Sequence, residues 1–356
     1  MDGRALARFG GALLALCAVA GAVFFGPEAA AQNCPPLKNG AVTFPDASIA
    51  MSTGLAVNPD GAAASYAPGD RGYTYLNNGV NLIDDGKKVS CSAKGNGGRC
   101  RRDWATAEAG AFGKGTPQFC VFAMEVEPVA AGAKKVLCED PKKKRYAVGD
   151  GKGRPVSGAP IATVSGGSVA PYVSTTTLTH TKGGRVVYVD SAALPGLVVP
   201  TTRGELVGAV AWVRLGSRET FAIVNDTGPA FGEGSVALHQ ALRNGQIGPL
   251  QPIGPISVAD RCGPAETGLR APFLSRPDGG DADRCRAGYK AKTASDIRAY
   301  SGVGTGVTSI ILPSVRPPMN GRTATVELTP ALLKTLAEKA GYTAQKLAQM
   351  AACVAH

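Results

Sequence analysis

The sequence predicts a mainly β protein: a compact barrel core with disulfide-stapled loops and a helical C-terminus. Three observations predict it. Strand signals from Tyr172 onward are dense, short and not interleaved with helical patterns, which disfavours a βαβ architecture. Of nine cysteines, all but Cys17 lie beyond the N-terminal leader, an even set that implies disulfides in an exported chain. The C-terminal stretch carries helix punctuation: Thr329-Pro330 as cap and first turn, Gly341 as a stop, Thr343 as a second cap.

The elements follow in order. Arg4 and Arg8 precede an uncharged apolar run that ends in Ala29-Ala30-Ala31, the pattern of a secretory signal peptide over 1–31. Export is therefore expected, to the periplasm or the extracellular space, with no later membrane span. Residues 32–85 read as short strands and turns, with Asn58-Pro59-Asp60-Gly61 a turn. Residues 86–160 are rich in Gly and Lys, hold four cysteines and contain one strand candidate, 119–126. They read as a stapled elaboration within a domain spanning 32–315. Strands are expected at 185–189, 196–199, 207–215, 221–224 and 307–312. A helix follows Glu233, capped by Ser235 and stopped by Asn244-Gly245. Residues 263–295 are loop-like, and 316–356 form the C-terminal helical segment. Sequence does not fix the disulfide pairing. Neighbour pairing gives Cys91–Cys100, Cys120–Cys138 and Cys262–Cys285, with Cys34–Cys353 joining the ends.

The net charge is +11. The basic runs are short, and 142–145 reads as a solvated loop or a point of adhesion to an anionic surface. There is no CxxC pair, phosphate-binding loop or metal-ligand cluster. No metal, cofactor or nucleic-acid partner is expected, and nothing points to an oligomer. A Ser or Cys triad is disfavoured, because His180, His239 and His356 lie near no evident nucleophile.

The candidate chemistry lies in NDTGPAFGEGS, from Asn225 to Ser235. Asp226 follows an apolar run, and Glu233 lies seven residues on, across a Gly- and Pro-rich gap. Two carboxylates flanking one bond can hydrolyse a glycoside, one giving a proton and the other attacking or activating water. The plainer alternative is structural: Asp226 caps its turn, and Glu233 offsets the start of the next helix.

The stretch resembles the central motif of the family 75 chitosanases. PYVSTTTL from Pro171, YVDSAALPGLVVP from Tyr188, NPDGAAASYAPGDRGYTYLNNG from Asn58 and GVTSIILPS near Val307 resemble further segments of that family, in the same order. The resemblance is absent over 86–160 and after 315. It implies a secreted endo-hydrolase that cleaves β-1,4-linked glucosamine polymers with inversion. Asp226 and Glu233 are then the essential carboxylates, Glu233 as general acid and Asp226 as base for the water, or the two roles swapped. By motif position Asn225, Thr227, Tyr172, Ser174 and Asp190 are the expected substrate-binding residues. Asp60, Asp70, Asp84, Asp85 and Asp190 could make a cleft acidic enough for polycationic chitosan, although each reads first as a turn or surface residue. Tyr172, Tyr188 and Trp212 are candidate sugar platforms, with core packing preferred for Trp212. The Asn-Asp-x-Gly-Pro turn also resembles the RlpA-like double-psi β-barrels, which implies a double-psi core. Two alternatives follow: a peptidoglycan-cleaving enzyme, and a non-catalytic wall-binding barrel.

Overall fold

The computed structural model describes residues 34–69, 76–138, 145–163, 167–248, 273–274, 297–299 and 302–355. The expected leader, Asp70 and the Cys262–Cys285 pair lie outside them.

Six strands form the core: β1 (Ile49–Val57), β2 (Gly196–Pro200), β3 (Val210–Leu215), β4 (Arg218–Gly228), β5 (Glu233–Gly234) and β6 (Val303–Leu312). They close into a ring in the order β1–β5–β2–β4–β3–β6, with β6 pairing back onto β1. The β1–β5 and β2–β4 pairs are parallel and the other four antiparallel. Two successive strand pairs each straddle a third strand. β5 lies between β1 and β2, and β2 lies between β4 and β5. That interlocked crossing is the double-psi arrangement. Closure leaves no free edge in the core sheet.

Leu55, Leu197, Val199, Val210, Trp212, Ile223 and Ile310 are buried together in the barrel's core cluster. The run from Val210 to Val213 is buried throughout, not alternately, because helices cover the outside of the strands. Four helices are described: α1 (Gly97–Ala109), α2 (Val236–Asn244), α3 (Pro330–Lys339) and α4 (Ala344–Ala352). α2 and α3 pack on β4, and α4 on β6. The expected caps form. The Ser235, Thr329 and Thr343 side chains accept from Leu238 N, Leu332 N and Lys346 N, and Gly245 ends α2 in the left-handed conformation.

Between β1 and β2 the chain builds a second, smaller core. Strands Lys87–Ser90, Val80–Asp84, Gln118–Val121 and Tyr146–Val148 form an antiparallel sheet in that order. Trp104 of α1 packs edge-on against Phe112, Phe119 and Tyr172, at ring-centroid distances of 5.2, 5.0 and 6.1 Å. Cys91–Cys100 and Cys120–Cys138 staple this lobe, and Cys34–Cys353 joins the chain ends, as neighbour pairing predicts.

Three local expectations change. The strand at 119–126 is two strands, Gln118–Val121 and Val126–Glu127, parted by an irregular stretch. The strand at 221–224 is the middle of an eleven-residue strand whose polar end includes Asn225 and Asp226. α1 was not expected, because only Cys100, Trp104 and Ala107 form its buried stripe.

Candidate functional site

β4 carries a bulge between its pairings to Leu197 and Val198. Leu197 opposes Val224 and Val198 opposes Asp226, so Asn225 is the extra residue. Its carbonyl leaves the ladder and accepts from Leu178 N at 2.9 Å. Its side chain lies over Gly196, where a Cβ would meet Asn225 Oδ1 at 2.4 Å. A bulge re-aims the next side chain, here Asp226.

Val198 also opposes Glu233 in β5, and Glu233 opposes Ala56 in β1. Directly opposed residues share a sheet face. Ala56, Glu233, Val198 and Asp226 thus form one row, with the two acids one strand apart on the same side. At the usual strand spacing their Cα atoms are roughly 10 Å apart. Glu233 closes part of this gap. Its Oε2 lies 3.4 Å from where a Gly228 Cβ would stand, a space open only because residue 228 is glycine. Glu233 does not sit in the first turn of α2, which contains no acid. The structural alternative of offsetting the helix start therefore does not describe it.

Asp226, 9% exposed, is held by donors. Its Oδ1 accepts from Thr177 Oγ1 at 2.6 Å, Thr227 N at 2.8 Å and Thr177 N at 3.1 Å. The Asn58 side chain lies near both Asp226 and Glu233 and draws the pKa of each down. Asn58 Oδ1 accepts from Asp60 N at 2.8 Å, which leaves the amide NH2 to face the two acids.

The same turn brings in a third acid. Asp60 Oδ1 accepts from the buried Tyr66 hydroxyl at 2.8 Å, and its backbone carbonyl accepts from Ser191 Oγ. Gly61, at φ +93, leaves no room for a side chain, since a Cβ would meet the Val189 carbonyl at 2.1 Å. Gly61 N donates to Ser174 Oγ at 2.9 Å. Three carboxyls from β4, β5 and the turn after β1 therefore converge at one end of the barrel.

Their electrostatics follow from burial and mutual repulsion. Burial, then Asp226, pushes Asp60 up to about 8; the Tyr66 bond opposes this, and Glu233 adds to it. Burial raises Asp226 against the pull of its Thr177, Thr227 and Asn58 bonds. Burial raises Glu233 too, opposed by Asn58 and reinforced by Asp226. Each of the three carboxyls therefore holds its proton to a higher pH than a free carboxyl does.

The other expected residues divide. Thr227 lies in the cluster, with Oγ1 3.2 Å from Thr177 Oγ1. Ser174 supports it from behind through Gly61. Asn225 shapes the bulge rather than facing the acids. Tyr172 belongs to the second core, its hydroxyl donating to Glu108. Asp190 accepts from Ala192 N at 2.9 Å, and no interaction with the three acids is found for it. Tyr188 bonds Glu125 and Trp212 is core. Asp84 pairs with Arg99 on the surface at 2.8 Å, and Asp85 occupies a turn at φ 46.

Sequence reasoning underweighted Asn58, Asp60, Tyr66 and Thr177. All four lie in quoted segments, but their turn and strand roles hid them. Among the described residues, no group of three His, Cys, Asp or Glu side chains is placed to hold a metal. No protein-family model matches the chain, and no curated protein matches it.

Proposed function

We propose that this protein is a secreted endo-acting glycoside hydrolase that cleaves β-1,4-linked glucosamine polymers, chitosan among them, with inversion. The observation that carries the reading is the placement of Asp226 and Glu233 on one sheet face, one strand apart, with Asn58 acting on both. Glycoside hydrolysis needs two such groups, one protonated and one ionised. A site where carboxyls repel one another separates those states. The acidic site also suits a cationic polymer. The chain as a whole is basic, but the three acids set the local field where the substrate would bind. The disulfides fit an oxidising compartment, and among the described residues no helix is long and apolar enough to cross a membrane.

A second reading has one observation in its favour. The double-psi ring and Asp226 at a strand end suit a peptidoglycan-cleaving barrel of the RlpA-like kind, on fold analogy. Glu233 and Asp60 are superfluous to a single-Asp reaction, so the chitosanase reading is preferred.

The test is reducing-end release from chitosan and from purified peptidoglycan glycan strands. Chitosan is expected to be cleaved, and Asp226→Asn and Glu233→Gln to lose roughly 10²–10⁴-fold in rate. Cleavage of the glycan strands alone would transfer the assignment to the second reading. Salt-sensitive wall binding without any product would make the protein a binding module.

A further inference from the structure

The strap that runs from the lobe into the barrel, 171–178, passes beside the acids. Tyr172 is buried in the lobe's core and Leu178 in the barrel's. Side chains between them tie the strap down. Ser174 Oγ accepts from Gly61 N at 2.9 Å, and Thr176 Oγ1 accepts from Val189 N at 3.1 Å and donates to the Leu178 carbonyl at 2.6 Å. Leu178 N holds the Asn225 carbonyl at the bulge. Thr177 is thereby fixed next to Asp226 and bonds one of its oxygens twice. Its Oγ1 lies 2.6 Å and its N 3.1 Å from Asp226 Oδ1. Thr227 N is the third donor to that oxygen, at 2.8 Å. The Thr177 hydroxyl has one proton, which goes to the carboxylate, so at 3.2 Å it accepts from the Thr227 hydroxyl. Three donors occupy Oδ1, and Oδ2 is left for chemistry.

We propose that Thr177 is the positioning residue of this site: its hydroxyl and N–H hold Asp226 by Oδ1 as the ionised member of the carboxyl pair. The proposal rests on the hydrolase reading, which needs one ionised carboxyl. Burial disfavours the Asp226 anion, and of the bonds that oppose burial the Thr177 hydroxyl contributes most. The other titratable groups facing Asp226 are Asp60, Tyr66 and Glu233, all acids, whose ionised forms repel a second anion. No cation offsets them in this group, so the Asp226 anion depends on its donors. Thr177 acts through Asp226 and needs no contact with the sugar.

The deciding experiment compares Thr177→Val, which removes the hydroxyl and keeps the branched shape, with Thr177→Ser, which restores it. The first readout needs no substrate. In protein labelled with carbon-13 at the aspartate carboxyls, the NMR signal missing from Asp226→Asn is that of Asp226. Its titration midpoint should rise by about one pH unit or more in Thr177→Val and return close to the wild-type value in Thr177→Ser. An unchanged midpoint in Thr177→Val, or an equal rise in Thr177→Ser, would overturn the proposal whether or not any glycan is cleaved. The second readout is the pH profile on a soluble glucosamine oligosaccharide. The acidic limb of kcat/KM should move up with the same midpoint in Thr177→Val, with kcat lowered roughly tenfold and KM within about twofold, and Thr177→Ser should recover both. A loss confined to KM would make Thr177 a sugar contact and refute the positioning role. A shifted midpoint with no cleavage by the wild type would sink the hydrolase reading and leave the hold of Thr177 on Asp226 established.

Discussion

The barrel and the stapled lobe reach order by different means. The barrel closes on itself, so hydrogen bonding and a large shared core hold it from all sides. The lobe is an open four-stranded sheet with one helix, and it gathers its smaller core around a single indole, Trp104 at 3% exposure. Its disulfides close loops of only 9 and 18 residues, whereas Cys34–Cys353 closes 319. Yet the site needs both. The barrel supplies Asp226 and Glu233. Tyr66, the partner of Asp60, has its ring in the lobe's core, and Tyr66 pairs with Tyr172 at the seam. A closed scaffold places two of the acids, and a locally stapled one tunes the third.

Opening the long-range bridge should have the largest effect. Replacing Cys34 and Cys353 by Ser removes a constraint worth about 6 kcal/mol in the chain-entropy model, against about 3 kcal/mol for either lobe bridge. Denaturant titration of the three double variants checks the order, and a lobe bridge outranking Cys34–Cys353 would reverse it. Trp104→Ala should cost about 3–5 kcal/mol, concentrated in the lobe. Hydrogen exchange should then show protection lost across 80–148 before the barrel strands. Simultaneous loss in both would mean that they unfold as one unit.

Gly228→Ala probes the barrel side of the site. The new Cβ would stand 2.9 Å from Val198 Cγ1 and 3.4 Å from Glu233 Oε2. Displacing the acid should lower kcat roughly tenfold or more, with an unchanged far-UV spectrum. Tyr66→Phe probes the lobe side. The hydroxyl bond favours the Asp60 anion and so opposes the burial that raises its pKa. Its loss should move the titration of Asp60 above about 8, as carboxyl signals followed by NMR would show, and a downward move would contradict this role of the hydroxyl.

The smallest effect concerns Asp46, where the C-terminal helices meet the barrel. Burial tends to raise its pKa, but bonds from Ser48, Lys346 and Tyr342 outweigh it and bring the carboxyl down to about 2. A depressed folded pKa stabilises above the unfolded value of 3.8, and the gain is lost as pH falls toward about 2. Asp46→Asn should therefore cost about 1 kcal/mol near neutrality and nothing below about pH 2, as urea titrations at both would show.

Much of this was legible in the sequence because it is local. Helix caps act over three residues, so Ser235, Thr329 and Thr343 could be placed without a fold. Cysteine neighbours fixed two staples because short loops close most readily. Asp226 and Glu233 stood out because they lie in one short motif. What sequence could not supply is distance across the ring. Asp60 is far from Asp226 in the chain and reads as an ordinary turn acid. Only the double-psi crossing, which brings β5 between β1 and β2, carries the turn after β1 to the end of β4. The bulge at Asn225 is likewise invisible in composition, because it exists only against Val198. The sequence by itself determined which residues cap, staple and carry charge. Only the tertiary structure decided which charges meet, because a raised pKa arises from burial and from neighbours that the chain order does not name.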